Sequence, residues 1–144
     1  MQVDWRGSTW KQYGAAIDML GDVINLCPDH LWTVAVYADP EDERFGQFWF
    51  IAYHTLRWLD LFLTGTREGF TPPSPFIVGA LPERPYTKDQ ILAYLGACRK
   101  KCQSTIEAQQ TRERNNVAYS SGWNLASWSF SCTVCDMFRN MLRS

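Results

Sequence analysis

"FWFIAYHTLRWLDLFL", residues Phe48 to Leu63, decides the fold of this chain. The run is almost wholly apolar, and Gly65 follows it where a helix would end. Ahead of it lies "ADPEDERFGQ", with Pro40 suited to a first helical turn and three acidic residues where the helix dipole favours negative charge. The spacing predicts a helix from about Pro40 to Thr64.

Upstream, Trp10, Tyr13, Ile17, Leu20, Ile24 and Cys27 recur at the 3.6-residue period, with Lys11, Asp18, Asp22 and Asn25 on the other side. This predicts an amphipathic helix from Trp5 to Cys27, stopped by "CPD". The segment "HLWTVAVY", His30 to Tyr37, has strand-like content but no second strand pattern nearby, and is expected to be a packed connection.

Downstream, residues 65–86 are rich in Pro and Gly without periodicity, which predicts a long, partly packed loop. Thr87 and Gln90 then have the spacing of a capping box. Ile91, Leu95, Cys98, Cys102 and Ile106 form a buried stripe, with Arg99, Lys100, Gln103 and Glu107 turned to water, over a third helix to about Gln110. Three helices of about 20 residues joined by non-strand segments predict an all-α helical bundle. After Arg112 the texture changes to Ser, Asn, Trp and Cys. Trp123, Phe130, Val134, Met137 and Met141 give an apolar stripe for a degenerate fourth helix from about Leu125.

Length and composition fit one soluble domain spanning 1–144: 46% hydrophobic residues, 15% aromatic and 20% charged. Fourteen basic residues against fifteen acidic ones leave a net charge of −1, so no field draws nucleic acid or an anionic membrane. No run approaches the roughly 18 apolar residues of a membrane span, and the start lacks a signal-peptide pattern. A cytoplasmic location is expected, and the odd count of five cysteines suits reduced core thiols better than disulfides.

His54 is the candidate metal ligand. On a helix opened at Pro40, positions 43, 47, 50, 54, 57 and 61 fall within about 45 degrees of one another, reading Glu43, Gln47, Phe50, His54, Arg57 and Leu61. Either this polar stripe faces solvent, or His54 is a core histidine with a satisfied hydrogen bond, or the stripe lines a polar cavity where neutral imidazole serves as a ligand. The second histidine, His30, is expected at the surface. Asp18 with Asp22 and Glu41 with Glu43 read as solubilising charge. Cys132 and Cys135 have the spacing of half a zinc site or a redox pair, a weak signal without a second half. No phosphate loop, Ser-His-Asp set or nucleophile elbow is present.

The stretches "CPDHLW", "FWFIAYHTLRWLDLFL" and "RPYTKDQILAYLGACRKK", with the amphipathic first helix, resemble the DinB-like family over about residues 5–110. The resemblance implies a four-helix bundle, often a homodimer. It also implies a divalent metal such as zinc or nickel held by one histidine on helix two, matched by His54, and by a pair spaced by four on the last helix. Relatives often carry a further histidine one turn earlier, where this chain has Phe50. The family's metal-dependent members resemble hydrolases or transferases acting on small molecules.

The atypical tail 112–144 departs from that pattern, with no histidine after His54. One choice of codons for "FSCTVCDMFRNMLRS", read from the third base, gives "QLYSMRHVQEHAAQ", which resembles the family's last helix. Completing the family's next two residues, Leu and Asn, then places a stop codon directly after Ser144. The resemblance therefore implies a frame change between about Arg112 and Tyr119, loss of two of three ligands, no cofactor bound by this chain and no turnover. Two rivals stand beside it: an active metal enzyme with Cys132 or Cys135 replacing the lost histidines, and a non-catalytic bundle binding a protein or an apolar ligand. An imperfect fourth helix would leave apolar surface uncovered and favour association.

Overall fold

The computed structural model describes residues 4–115, with the backbone alone at 5–6 and 109–115. The chain divides into two compact units, Met1–Ala108 and Gln109–Ser144, close to where the sequence changes texture. The described residues form three α-helices, α1 (Trp5–Leu26), α2 (Phe48–Thr64) and α3 (Lys88–Asn115), and no β-strand. The all-α expectation holds among them. The fourth helix expected from Leu125 lies outside the described residues, as do Cys132 and Cys135.

Each helix is bounded by local chemistry. Asp4 caps α1, its side chain accepting from the Gly7 amide at 3.0 Å. The α1 end falls at Cys27, which turns extended ahead of Pro28. Gly65 closes α2 with φ +82°, the left-handed conformation that glycine adopts at no steric cost, and its amide donates to the Leu61 carbonyl at 3.0 Å. The capping box of α3 is formed in both directions: the Thr87 amide donates to Gln90 Oε1 at 2.9 Å and the Gln90 amide to Thr87 Oγ1 at 3.2 Å.

Helix α2 begins eight residues later than expected, at Phe48 and not at Pro40. The acidic residues that suggested a helical first turn instead bond their own backbone. Asp39 Oδ1 accepts from the Glu41 amide at 2.9 Å, and Asp42 Oδ1 accepts from the Arg44 amide at 2.9 Å, competing with helix formation. A short 3-10 helix, Glu43–Gly46, follows. The next backbone groups are taken by the 32–36 segment: the Val36 amide donates to the Gly46 carbonyl at 2.7 Å and the Phe48 amide to the Val34 carbonyl at 3.3 Å, with one antiparallel bridge between Ala35 and Gln47. The "HLWTVAVY" connection thus does find a partner, if only for one bridge. Gly46 is required here, because a Cβ would collide with the Tyr37 carbonyl. Glu43 and Gln47 consequently lie off the helix, and the polar stripe shortens to Phe50, His54, Arg57 and the buried Leu61.

The core joins the predicted stripes. Ile17, Leu20, Ile24 and Cys27 of α1 are buried, as are Ile91, Leu95, Cys98, Cys102 and Ile106 of α3. Ile24, Leu56 and Ile91 are fully enclosed, each worth about 1.5–3 kcal/mol of burial. Leu95 lies over Gly21, and Cys98 Sγ approaches the Leu56 carbonyl at 3.7 Å, so α3 packs on both α1 and α2. The three thiols Cys27, Cys98 and Cys102 are free and buried, as expected for core cysteines. Arg99 lies on the water-facing side as expected, where it pairs with the exposed Asp18 at 2.9 Å and lies over the Trp10 ring.

Loop 65–86 is fastened to this core through aromatics. Trp32 Nε1 donates to the Tyr86 carbonyl at 2.8 Å, Tyr53 Oη donates to the Ile77 carbonyl at 2.6 Å, and the Ile77 amide donates to Tyr86 Oη at 3.2 Å. Phe76 stacks on Tyr94 and Tyr53, with ring centroids 4.6 and 5.5 Å apart. The Ser74–Pro75 peptide is cis. No described helix is long and apolar enough to cross a membrane.

Candidate functional site

The loop attachment leaves a cavity of about 500 Å³ between the start of α2 and residues 77–81. Its described lining includes Arg44 and Phe45 before the helix, then Phe50, Tyr53, His54 and Arg57 on it. The i, i+3, i+4 and i+7 spacing of the helical four places them on one side of α2. His54 borders this cavity with a half-buried ring, and it also has the satisfied hydrogen bond expected of a histidine packed among apolar residues.

Imidazole chemistry there is constrained. Trp58, one turn on, donates its indole N–H to His54 Nε2, and the two rings stack at 5.9 Å. An accepting Nε2 fixes the neutral tautomer with the proton on Nδ1. Burial pulls the His54 pKa below its ordinary value, and the nearby Arg57 charge adds to that. Phe50 packs edge-on against the imidazole at 5.4 Å and Phe62 stacks on Trp58 at 5.7 Å, so positions 50, 54, 58 and 62 form a continuous ring ladder.

The charges beside this ladder are positive. Arg57 and Arg67 both lie over the Trp58 ring, at 5.2 and 5.6 Å. Arg44 is held by Asp42 through a paired contact, Nε to Oδ1 at 3.0 Å and Nη2 to Oδ2 at 2.6 Å. Arg57 forms no ion pair among the described residues. Tyr53, in the same wall, has its pKa pushed up to about 12, chiefly by burial.

A second polar cluster joins α2 to α3 below the cavity. Asp60, only 7% exposed, accepts from Tyr94 Oη at 2.9 Å and from Lys101 Nζ at 2.5 Å. Lys101 also donates to Thr64 Oγ1 at 2.6 Å, and Thr64 donates to the Asp60 carbonyl at 2.8 Å. Burial and the Asp60 charge hold the Cys98 thiol up at about 12, where it is protonated and unreactive. Both carboxylate oxygens of Asp60 are engaged, so the cluster is closed on itself.

Among the described residues no group of three or more His, Cys, Asp or Glu side chains converges. The donors around His54 do not fit a divalent ion: its Nε2 is taken by Trp58, and the cavity's charged side chains are guanidinium groups. His30 is exposed on the 3-10 turn Asp29–Leu31, while Asp18, Asp22, Glu41 and Glu43 are exposed, as expected.

The sequence reading missed the Asp60 cluster. Its signal was a lone carboxylate inside "RWLDLFL", on a helix too apolar to leave it in water, with Lys101 next to the predicted core position Cys102 on the following helix. Comparison with known proteins adds no name to this arrangement: no family model, no curated protein and no solved structure matches the chain.

Proposed function

We propose that this chain is a DinB-like helical-bundle protein, related to metal-dependent hydrolases or transferases of small molecules, whose metal site is incomplete and which does not turn over substrate. The three described helices would be three of the four in such a bundle, and the fourth would come from residues beyond Asn115. The observation that carries the reading is the state of His54. Its Nε2 accepts from Trp58, and Arg57, with no described carboxylate to neutralise it, lines the same cavity, an arrangement that disfavours a divalent ion. One imidazole cannot replace the hydration shell of zinc or nickel, which takes three or four ligands to displace.

Elemental analysis of purified full-length protein tests this directly. The expected result is far less than one zinc or nickel ion per chain, unchanged in His54→Ala. About one ion per chain, lost in His54→Ala or in Cys132→Ser, overturns the reading in favour of an active metal enzyme. Sequencing the encoding DNA across codons 110–144 tests the origin of the tail. Closely related genes with an intact frame also ending in "CTVCDMFRNMLRS" would overturn the frame change.

A second reading, a non-catalytic ligand-binding bundle, is favoured by the cavity itself. It has a pinned aromatic wall and a half-buried cation that no described carboxylate neutralises. Homodimer formation is part of the DinB-like proposal, and sedimentation of the full chain decides it.

A further inference from the structure

We propose that the cavity between α2 and residues 77–81 binds a small organic carboxylate with an aromatic body, its charge held by Arg57 and its ring seated on Phe45 and Phe50. This rests on the ligand-binding reading above and names its ligand class. It does not depend on the metal content of the chain.

Four features converge on that ligand. First, Arg57 lies over the Trp58 ring at the cavity wall with no carboxylate partner among the described residues, so its planar fork has donors left to match a carboxylate in two-point contact. Arg44 is different, because Asp42 already occupies and neutralises it, so it is not the anchor. Second, the walls are aromatic: Phe45 and Phe50 lie 5.0 Å apart with planes tilted by 56°, a corner into which a further ring can pack edge to face. Third, the recess is open to solvent on one side, and its volume of about 500 Å³ admits a compact ligand. Fourth, the opposite wall is held in place before any ligand arrives. Tyr53 and Tyr86 grip both backbone polar groups of Ile77, so little ordering remains to be done on binding.

His54 supplies a second donor. With Nε2 accepting from Trp58, its proton sits on Nδ1, which has no acceptor among the described residues. A neutral imidazole beside a guanidinium also disfavours a cationic ligand less than a protonated one would, so selection against cations falls to Arg57. Neutral ligands of the same shape fill the cavity but leave Arg57 unpaired.

Calorimetric titration of the full chain, after treatment with a chelator, provides the test. The probes are phenylacetate, its neutral isostere phenylacetamide, and the cation phenethylamine. The expected result is saturable binding of phenylacetate at up to about 10 mM, at least about tenfold tighter than the amide, with no binding of the amine. Arg57→Gln should remove the preference for carboxylate, while Arg57→Lys keeps part of it. Added salt should weaken phenylacetate alone. Equal binding of acid and amide, unaltered phenylacetate affinity in Arg57→Gln, or no saturation by any probe overturns the proposal. If Arg57→Gln does not melt cooperatively, the acid-to-amide ratio and salt dependence of the parent decide. Metal found in the elemental analysis would sink the inactive-enzyme reading while leaving this binding result standing.

Discussion

Helix α2 carries two polar clusters centred only three residues apart, on Arg57 and Asp60, and they have opposite characters. Around Asp60, every charged oxygen has a donor: Tyr94 on one, Lys101 on the other, with Thr64 closing the ring of contacts. Around Arg57, positive charge accumulates without a described carboxylate to neutralise it, beside a cavity open enough to admit a ligand. Buried polar groups that satisfy one another contribute to a single well-defined packing. Polar groups left with spare capacity at the wall of a cavity have something to offer a ligand. Of two clusters rich in titratable groups, the closed one reads as architecture and the open one as the site.

Substitutions can break this contrast. Asp60→Asn should have the largest effect, about 2–3 kcal/mol of lost stability in urea unfolding. It removes the charge facing Lys101, and the loss stays below that of a fully enclosed pair because Lys101 remains 38% exposed. Tyr94→Phe should cost about 1–2 kcal/mol, since one buried carboxylate oxygen loses its donor. A loss under about 0.5 kcal/mol for Asp60→Asn would mean that the cluster is not architectural.

Near neutral pH, acid should act on the open cluster through His54. The folded-state pKa of His54 lies below its ordinary value, so below about pH 6.5 the unfolded chain takes up a proton that the folded ring resists. Stability is therefore fully present above the unfolded value and declines as pH falls towards the folded one. His54→Gln should flatten that slope between about pH 7.5 and 5.5, measured by urea midpoints. Arg57→Gln should be the mildest change, within about 0.5 kcal/mol of the parent in stability, because no described ion pair is lost. A loss as large as that of Asp60→Asn would show Arg57 to be structural and erase the distinction.

The helices were legible because their determinants are local. Thr87 and Gln90 announce a cap at fixed spacing, Gly65 supplies a left-handed stop, and the α3 stripe from Ile91 to Ile106 follows the helical period. The start of α2 was misread because two local rules competed. Pro40 and its acidic neighbours suit a helix start equally well as a series of side-chain-capped turns, and backbone pairing with the distant 34–36 segment selected the turns. His54 could be singled out as an oddity among apolar residues, but not the loop that turns its surroundings into a cavity. That wall depends on Tyr53 and Tyr86 gripping Ile77 across 24 and 9 residues of sequence, a relation no periodicity encodes. The Asp60 cluster was hidden for the same reason, its partners lying 34 and 41 residues away.

Lys88, the first residue of α3, donates to the Cys27 carbonyl at the end of α1, pairs with Asp29 at 2.9 Å and lies over the Trp32 ring at 5.9 Å. The chain thus leaves α1 and returns 61 residues later to the same spot, so everything between is an excursion with a clasped base. Cutting that excursion with a protease in the 65–86 loop should leave α1 and α3 still held together.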